Sequence, residues 1–239
     1  MLSVLYEDKD IIVVEKPVGM ESQASRGFSA DMISEIKRHI HNLSPGAGEP
    51  YVGVIHRLDK PVGGIMVYAK NQKAAAVLSK DVQDGKVQKM YFAVVCGKPV
   101  DKQGQFVDYL LKDGRTNCSK IVDKGITRGK LAKSDYFVVG STADDDGTKT
   151  LVEINLLTGR HHQIRVQFAG RGIPLYGDNR YNPAFKDAGG INVALFAWKL
   201  RFRHPQNGKI MDFEKLPAAG IFSEFQDILI EYKRSTKQK

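Results

Sequence analysis

The sequence predicts an α+β fold with a largely antiparallel, mixed β-sheet core flanked by helices and loops. Two observations carry that expectation. Strand-like apolar runs outnumber helical periodicities, and several of them follow one another with only a loop between. In order, Ile11 to Val14 (IIVV) reads as a short buried strand closed by the Lys16-Pro17-Val18-Gly19 turn. Ser29 to about Asn42 reads as a helix capped by Ser29, with Ile33, Ile36 and Ile40 on one face. Residues 43–50, LSPGAGEP, form a loop that leads into an apolar run, Val52 to Ile55, and a second run follows at Ile65 to Tyr68. Asn71 caps a further helix that continues through Lys80 and stops before Gly85. Met90 to Cys96 is a strong strand, and Tyr136–Val139, Leu151–Ile154 and Val193–Ala197, the last continuing towards Phe202, read the same way. His161 to Ala169 suits a short helix ended by Gly170 and Gly172. Asp144 to Gly147 (DDDG) reads as a solvated hairpin tip, and Lys233 to Lys239 as a frayed basic tail.

Composition narrows the function classes. A chain of 239 residues, 42% apolar and 26% charged, is long enough for one large domain or two small ones. No apolar run approaches the roughly 20 residues that span a bilayer. The opening MLSVLYEDKDIIVVEK holds acidic residues and no long apolar stretch, so a cytoplasmic protein is expected rather than a secreted one. Cys96 and Cys118 are the two cysteines, enough for neither a disulfide framework nor a zinc site. The excess of 36 Lys+Arg over 27 Asp+Glu favours a polyanionic partner, since basic side chains release counterions from nucleic-acid phosphates. From Arg160 to His204, six Arg and two Lys stand against two Asp, so +6 of the net +9 falls in one Arg-rich block.

Candidates for chemistry are few. His161 and His162 are adjacent, which makes them an awkward pair of ligands for one ion, and no HExxH or paired cysteine accompanies them. No P-loop or GxGxxG is present, so neither a metal nor a nucleotide cofactor is expected. Asp59 stands out. It sits in His56-Arg57-Leu58-Asp59-Lys60, between two apolar runs. One reading makes it a solvated charge or a local partner of Arg57. The other makes it a partly desolvated carboxylate, which needs a cationic partner and suits nucleophilic or acid–base work. On residues alone the second reading points to a carboxylate enzyme acting on nucleic acid.

The H-R-L-D sequence at 56–59, followed by an apolar strand, resembles the catalytic motif of the RluA family of RNA pseudouridine synthases. Residues 88–97 (QKMYFAVVCG) are similar to that family's K-x-Y-x-A-x-V-x-G strand. Thr158 to Arg165 (TGRHHQIR), with Gly172 to Asp178 (GIPLYGD), resembles its T-G-R-x-H-Q-I-R…G-x-P-x-x-G-D segment. The opening LYED…VEKPVG and the late AWKLRFRHP also fit, so the likeness spans nearly the whole chain. It departs from the family at Val62-Gly63-Gly64, where Thr-Ser-Gly is usual, and at Asn179, where Pro is usual.

The resemblance implies a pseudouridine synthase fold in one catalytic domain, residues 1–232, without the S4-type RNA-binding domain of many relatives. It implies cofactor-free isomerisation of uridine in ribosomal or transfer RNA by a monomer that needs no obligatory protein partner. Asp59 would be the essential carboxylate and Arg165 the cation that holds it ionised. Tyr91 would stack on the uracil, although a half-buried strand aromatic looks the same in sequence. Leu195 would pack under the base, or simply in the core. Arg57 would fill the gap left by the flipped uridine, and His56, Arg160 and His162 would contact the RNA. Two other classes stay open: an inactive RNA-binding protein on this scaffold, and a carboxylate nucleosidase that releases the base.

Overall fold

A computed structural model of the chain describes residues 2–24, 30–46, 48–144 and 147–236. They divide into two compact units, each assembled from two separate stretches of chain: residues 1–89 with 197–215, and residues 90–196 with 216–239.

In the first unit, β1 (Ser3–Glu7), β2 (Ile11–Lys16), β4 (Gly63–Ala69) and the 197–203 part of β10 (Leu195–Arg203) lie side by side in that order. The short β3 (Gly53–Val54) pairs with β4, and β11 (Ile210–Glu214) pairs with β10. Pairing of β1 with β2, and of β2 with β4, is antiparallel, as expected. Strands β2 and β4 read as continuous apolar runs because both of their faces are covered. Ile11, Val13, Ile65 and Val67 pack with Ala74 and Leu78 of helix α2 (Gln72–Gln83), and Ile12, Val14, Met66 and Tyr68 are as deeply buried. Gly64, at φ +130°, lets β10 approach closely: a Cβ there would lie 2.4 Å from the Ala197 carbonyl oxygen.

Helix α1 (Met32–Leu43) corrects one expectation. Its cap is Asp31, whose carboxylate accepts from the backbone N–H groups of Ile33 and Ser34; Ser29, the expected cap, lies outside the described residues. The α2 cap is Asn71, which accepts from Ala74 N–H at 2.9 Å. The run at 52–55 shortens to the two residues of β3, which are half-buried rather than internal.

In the second unit the order is β5 (Gln88–Cys96, from Met90 on), β9 (Gly147–Leu156), β8 (Lys130–Asp144), β6 (Gln103–Asp113) and β7 (Cys118–Val122), with every neighbour antiparallel. Asp144 pairs with Gly147 at the β8–β9 hairpin, and residues 145–146 of its tip lie outside the described residues. Helix α3 (Gln163–Ala169) covers β6 and β8 through Val166 against Leu110 and Ala132. Phe168 packs edge-on against Phe106 and Tyr136. Helix α4 (Gln226–Thr236) covers β5 and β8, with Tyr232 against Phe92 and Phe137. It continues through Lys233 into the segment set aside as a basic tail, and residues 237–239 lie outside the described residues.

Candidate active site

In the first unit, residues 55–62 connect β3 to β4 and carry His56, Arg57 and Asp59. Their burial alternates: Arg57 is exposed, Leu58 is buried and Asp59 is half-buried. Leu58 thus anchors the loop while its neighbours stay accessible. The backbone on both sides of Asp59 is held by one turn, residues 16–22. Before Asp59, the Leu58 N–H donates to Ser22 Oγ at 3.0 Å, and that hydroxyl donates to the Leu58 carbonyl at 2.8 Å. After it, the Lys60 carbonyl accepts from Gly19 N–H at 2.9 Å and from Lys16 Nζ at 3.1 Å. Tyr68 of β4 donates to the Ser22 carbonyl at 2.9 Å and fixes the turn in its place. A type of turn closes the loop itself, with Val62 N–H on the Asp59 carbonyl at 2.9 Å.

Lys16 is completely buried at the end of β2, where its ammonium also reaches the carbonyls of Pro17 and Met20. Burial pushes its pKa down to about 8, and the charge of Asp59 acts in the opposite direction. A buried ammonium thereby sits in the electrostatic range of Asp59. His56, for which an RNA contact was expected, is engaged in the fold. Its Nε2 accepts from the Val67 N–H of β4 at 3.3 Å. Burial, helped by the charge of Lys89, pushes its pKa down to about 3, so the ring is neutral at ordinary pH.

In the second unit, Tyr91 lies in β5 opposite Ile154 of β9, and Leu195 opens β10; both are buried. Arg160, His162 and Arg165 come together around the start of α3. The preceding loop is fastened to β8: Thr158 Oγ1 and the Arg160 N–H both donate to Gln163 Oε1, and Gln163 donates to the Lys133 carbonyl at 3.0 Å. Arg160 itself is exposed and donates from Nε to the Leu131 carbonyl at 2.9 Å. His162 adopts a left-handed backbone, φ 53° and ψ 26°, directly before the helix. Its ring stacks on His161 at 3.7 Å and its Nδ1 lies 2.8 Å from the Tyr181 hydroxyl.

Arg165 was expected to hold Asp59. Within its own unit it grips Asp178, through Nε and one terminal nitrogen, at 2.7 Å each. Both side chains are buried, and Asp178 also accepts from the backbone N–H groups of Arg180 and Tyr181. The Arg165 guanidinium lies 5.2 Å from the Tyr181 ring centre.

Of the predicted residues, His56, Arg57 and Asp59 belong to the first unit and Tyr91, Arg160, His162, Arg165 and Leu195 to the second. Four residues that hold or adjoin the candidate site residues escaped prediction: Lys16, Ser22, Asp178 and Tyr181. A charged residue ending an apolar run was the available signal for Lys16, and the G-D pair was the signal for Asp178. Ser22 and Tyr181 offered none.

One further group has metal-ligand chemistry. Asp8, Asp10 and His204 bring ligand atoms within 4.8 Å of one another. Their atoms are engaged in the fold: His204 Nε2 meets Asp8 Oδ2 at 2.8 Å, Asp8 Oδ1 accepts two backbone N–H groups, and Asp10 accepts from Asn71. The arrangement ties the β1–β2 turn to the end of β10 and the start of α2.

Comparison with known proteins identifies the scaffold. The family model described as RNA pseudouridylate synthase matches residues 10–170. An uncharacterized RNA pseudouridine synthase of Aquifex aeolicus is 35% identical over 224 residues, covering 89% of this chain and 68% of its own. The ribosomal large subunit pseudouridine synthase D of Nitrosomonas europaea is 32% identical over 221 residues, covering 89% and 61%. Among solved structures, human RNA pseudouridylate synthase domain containing 4 matches with a TM-score of 0.73 over 90% of this chain and 88% of its own, at 21% identity. That likeness establishes the fold. With the matched model covering the Asp59 loop, β5 and α3, the chain belongs to the RNA pseudouridylate synthase family.

Proposed function

We propose that this RNA pseudouridine synthase modifies ribosomal RNA, using Asp59 as its essential carboxylate. Relatives named as ribosomal large subunit pseudouridine synthases C and D support the substrate class. One observation carries the role of Asp59: its backbone is held on both sides by the 16–22 turn, while its side chain remains half-exposed beside a buried ammonium. A carboxylate so fixed is preorganised for chemistry rather than left as a mobile surface charge. In the reaction the N1–C1′ bond breaks and a C5–C1′ bond forms. The C5 proton leaves and N1 regains one, so the product is an isomer and no oxidant or hydrolytic water is consumed.

Arg57, exposed two residues before Asp59, occupies the space vacated by the flipped nucleotide, and Tyr91 and Leu195 supply apolar surface for the base. The test is to incubate the protein with ribosomal RNA and assay both pseudouridine and free uracil. Pseudouridine is expected from the wild type, and only a trace from Asp59→Asn with its fold intact. Free uracil would establish a nucleosidase, and RNA binding without either product would establish a binding protein.

A further inference from the structure

The hydrogen bonds of Tyr181 bear on where a candidate site residue keeps its proton. The phenol oxygen lies 2.7 Å from the backbone nitrogen of Ser119 and 2.8 Å from Nδ1 of His162. A backbone N–H can only donate, so the phenol oxygen accepts in the first contact. The phenol hydrogen is then available for the second, an arrangement that makes Nδ1 the acceptor. A neutral imidazole that accepts at Nδ1 carries its hydrogen on Nε2.

Two further features hold this arrangement. Burial pushes the Tyr181 pKa up to about 12, so the phenol keeps its hydrogen across the working range. The left-handed backbone of His162, uncommon for a residue with a Cβ, is maintained by its surroundings: the ring is sandwiched against His161 and meets Tyr181 edge-on. Ser119 braces both histidines, because its hydroxyl lies 2.9 Å from His161 Nδ1 while its N–H engages Tyr181.

We propose that Tyr181 is a positioning residue that fixes His162 in the Nε2–H tautomer, so that His162 serves the reaction as a hydrogen-bond donor and takes no part as a base. The proposal rests on the reading of the chain as an RNA-modifying enzyme, and its first test does not depend on that reading. Nitrogen-15 spectra of the imidazoles, with His162 assigned by the signal lost in His162→Gln, report the tautomer directly. Nδ1 is expected in the unprotonated range and Nε2 in the protonated range. A protonated Nδ1 overturns the proposal, whether or not pseudouridine is formed.

The second test uses Tyr181→Phe, which keeps the ring beneath Arg165 and removes the hydroxyl. Its His162 signals should move towards an average of the two tautomers, and single-turnover rates should fall on the order of tenfold. In a His162→Gln background, where the amide nitrogen still offers a donor, the same substitution should have no further effect on rate. Equal losses in both backgrounds would show that Tyr181 serves the fold alone and would overturn the proposal.

Discussion

Arg165 and Asp178 meet through two hydrogen bonds of 2.7 Å, with both side chains withdrawn from water. Breaking such a buried pair by removing one charge, and with it two strong hydrogen bonds, costs about 3–5 kcal/mol. Asp178→Asn is therefore expected to lower the unfolding free energy by roughly that amount, read from a denaturant titration. Arg165→Lys keeps the charge and loses the planar fork, so it should be both less stable and poorly active. A titration midpoint unchanged in both variants would remove this pair from the account of the site.

Ser22→Ala tests the hold on Asp59. The Leu58 N–H loses its acceptor in a buried setting, which costs about 1–3 kcal/mol. If the turn positions Asp59, kcat falls while KM changes little. Ser22→Thr, which restores a hydroxyl, should recover part of kcat. A loss of stability with an unchanged kcat would confine Ser22 to a structural role.

His56 makes an acid-side prediction. Its pKa is about 3 in the folded protein against an ordinary 6.5, with burial as the main cause. Between those values the unfolded chain binds a proton that the folded chain refuses. Stability from this group is thus present above about 6.5 and is lost as pH falls, by at most about 1.4 kcal/mol per pH unit. His56→Gln should flatten stability against pH in that window, measured by denaturation from pH 7 down to 4. No step in the activity profile should trace to His56.

Arg57→Ala distinguishes base flipping from local pairing. Unstacking a nucleotide costs a few kcal/mol in a structured RNA and less in a loop. Each 1.4 kcal/mol of lost support slows turnover about tenfold. The variant should therefore suffer more on a folded ribosomal RNA fragment than on a short unstructured RNA carrying the same uridine. Equal losses in single-turnover rate would assign Arg57 to the positioning of Asp59.

What the sequence revealed follows the reach of the interactions involved. β2, β4 and β5 were legible because strands covered on both faces read as unbroken apolar runs, and α2 because Asn71 caps it from three residues away. The β6–β7 hairpin was not legible. Its buried positions, such as Phe106 and Leu110, alternate with Asp108 and Lys112, and Ser119 is the one buried residue of β7. Asp59 could be singled out from its neighbours, but its supports could not: Ser22 is 36 residues from Leu58, and Lys16 is 44 from Lys60. Tyr181 meets His162 across 19 residues and Ser119 across 62, and no local pattern encodes either contact. The Val62-Gly63-Gly64 turn departs from the family at its first two positions and keeps glycine at the third, where Ala197 across the strand gap shows why glycine must stand.

The two-stretch construction of each unit matters during synthesis. β4 emerges from the ribosome early, apolar along its whole length, and its neighbour β10 follows only after the entire β5–β9 meander and α3 have been made. Until Arg203 has left the exit tunnel, one edge of β4 has no native strand to bond, and such an edge recruits other chains. The second unit faces the same delay with α4, which is made after β10 and β11 and lays Tyr232 over Phe92 and Phe137. A nascent chain that stalls between residues 90 and 195 is therefore expected to be sticky, so ribosome-associated holdase chaperones should crosslink to it most strongly at the exposed edge of β4.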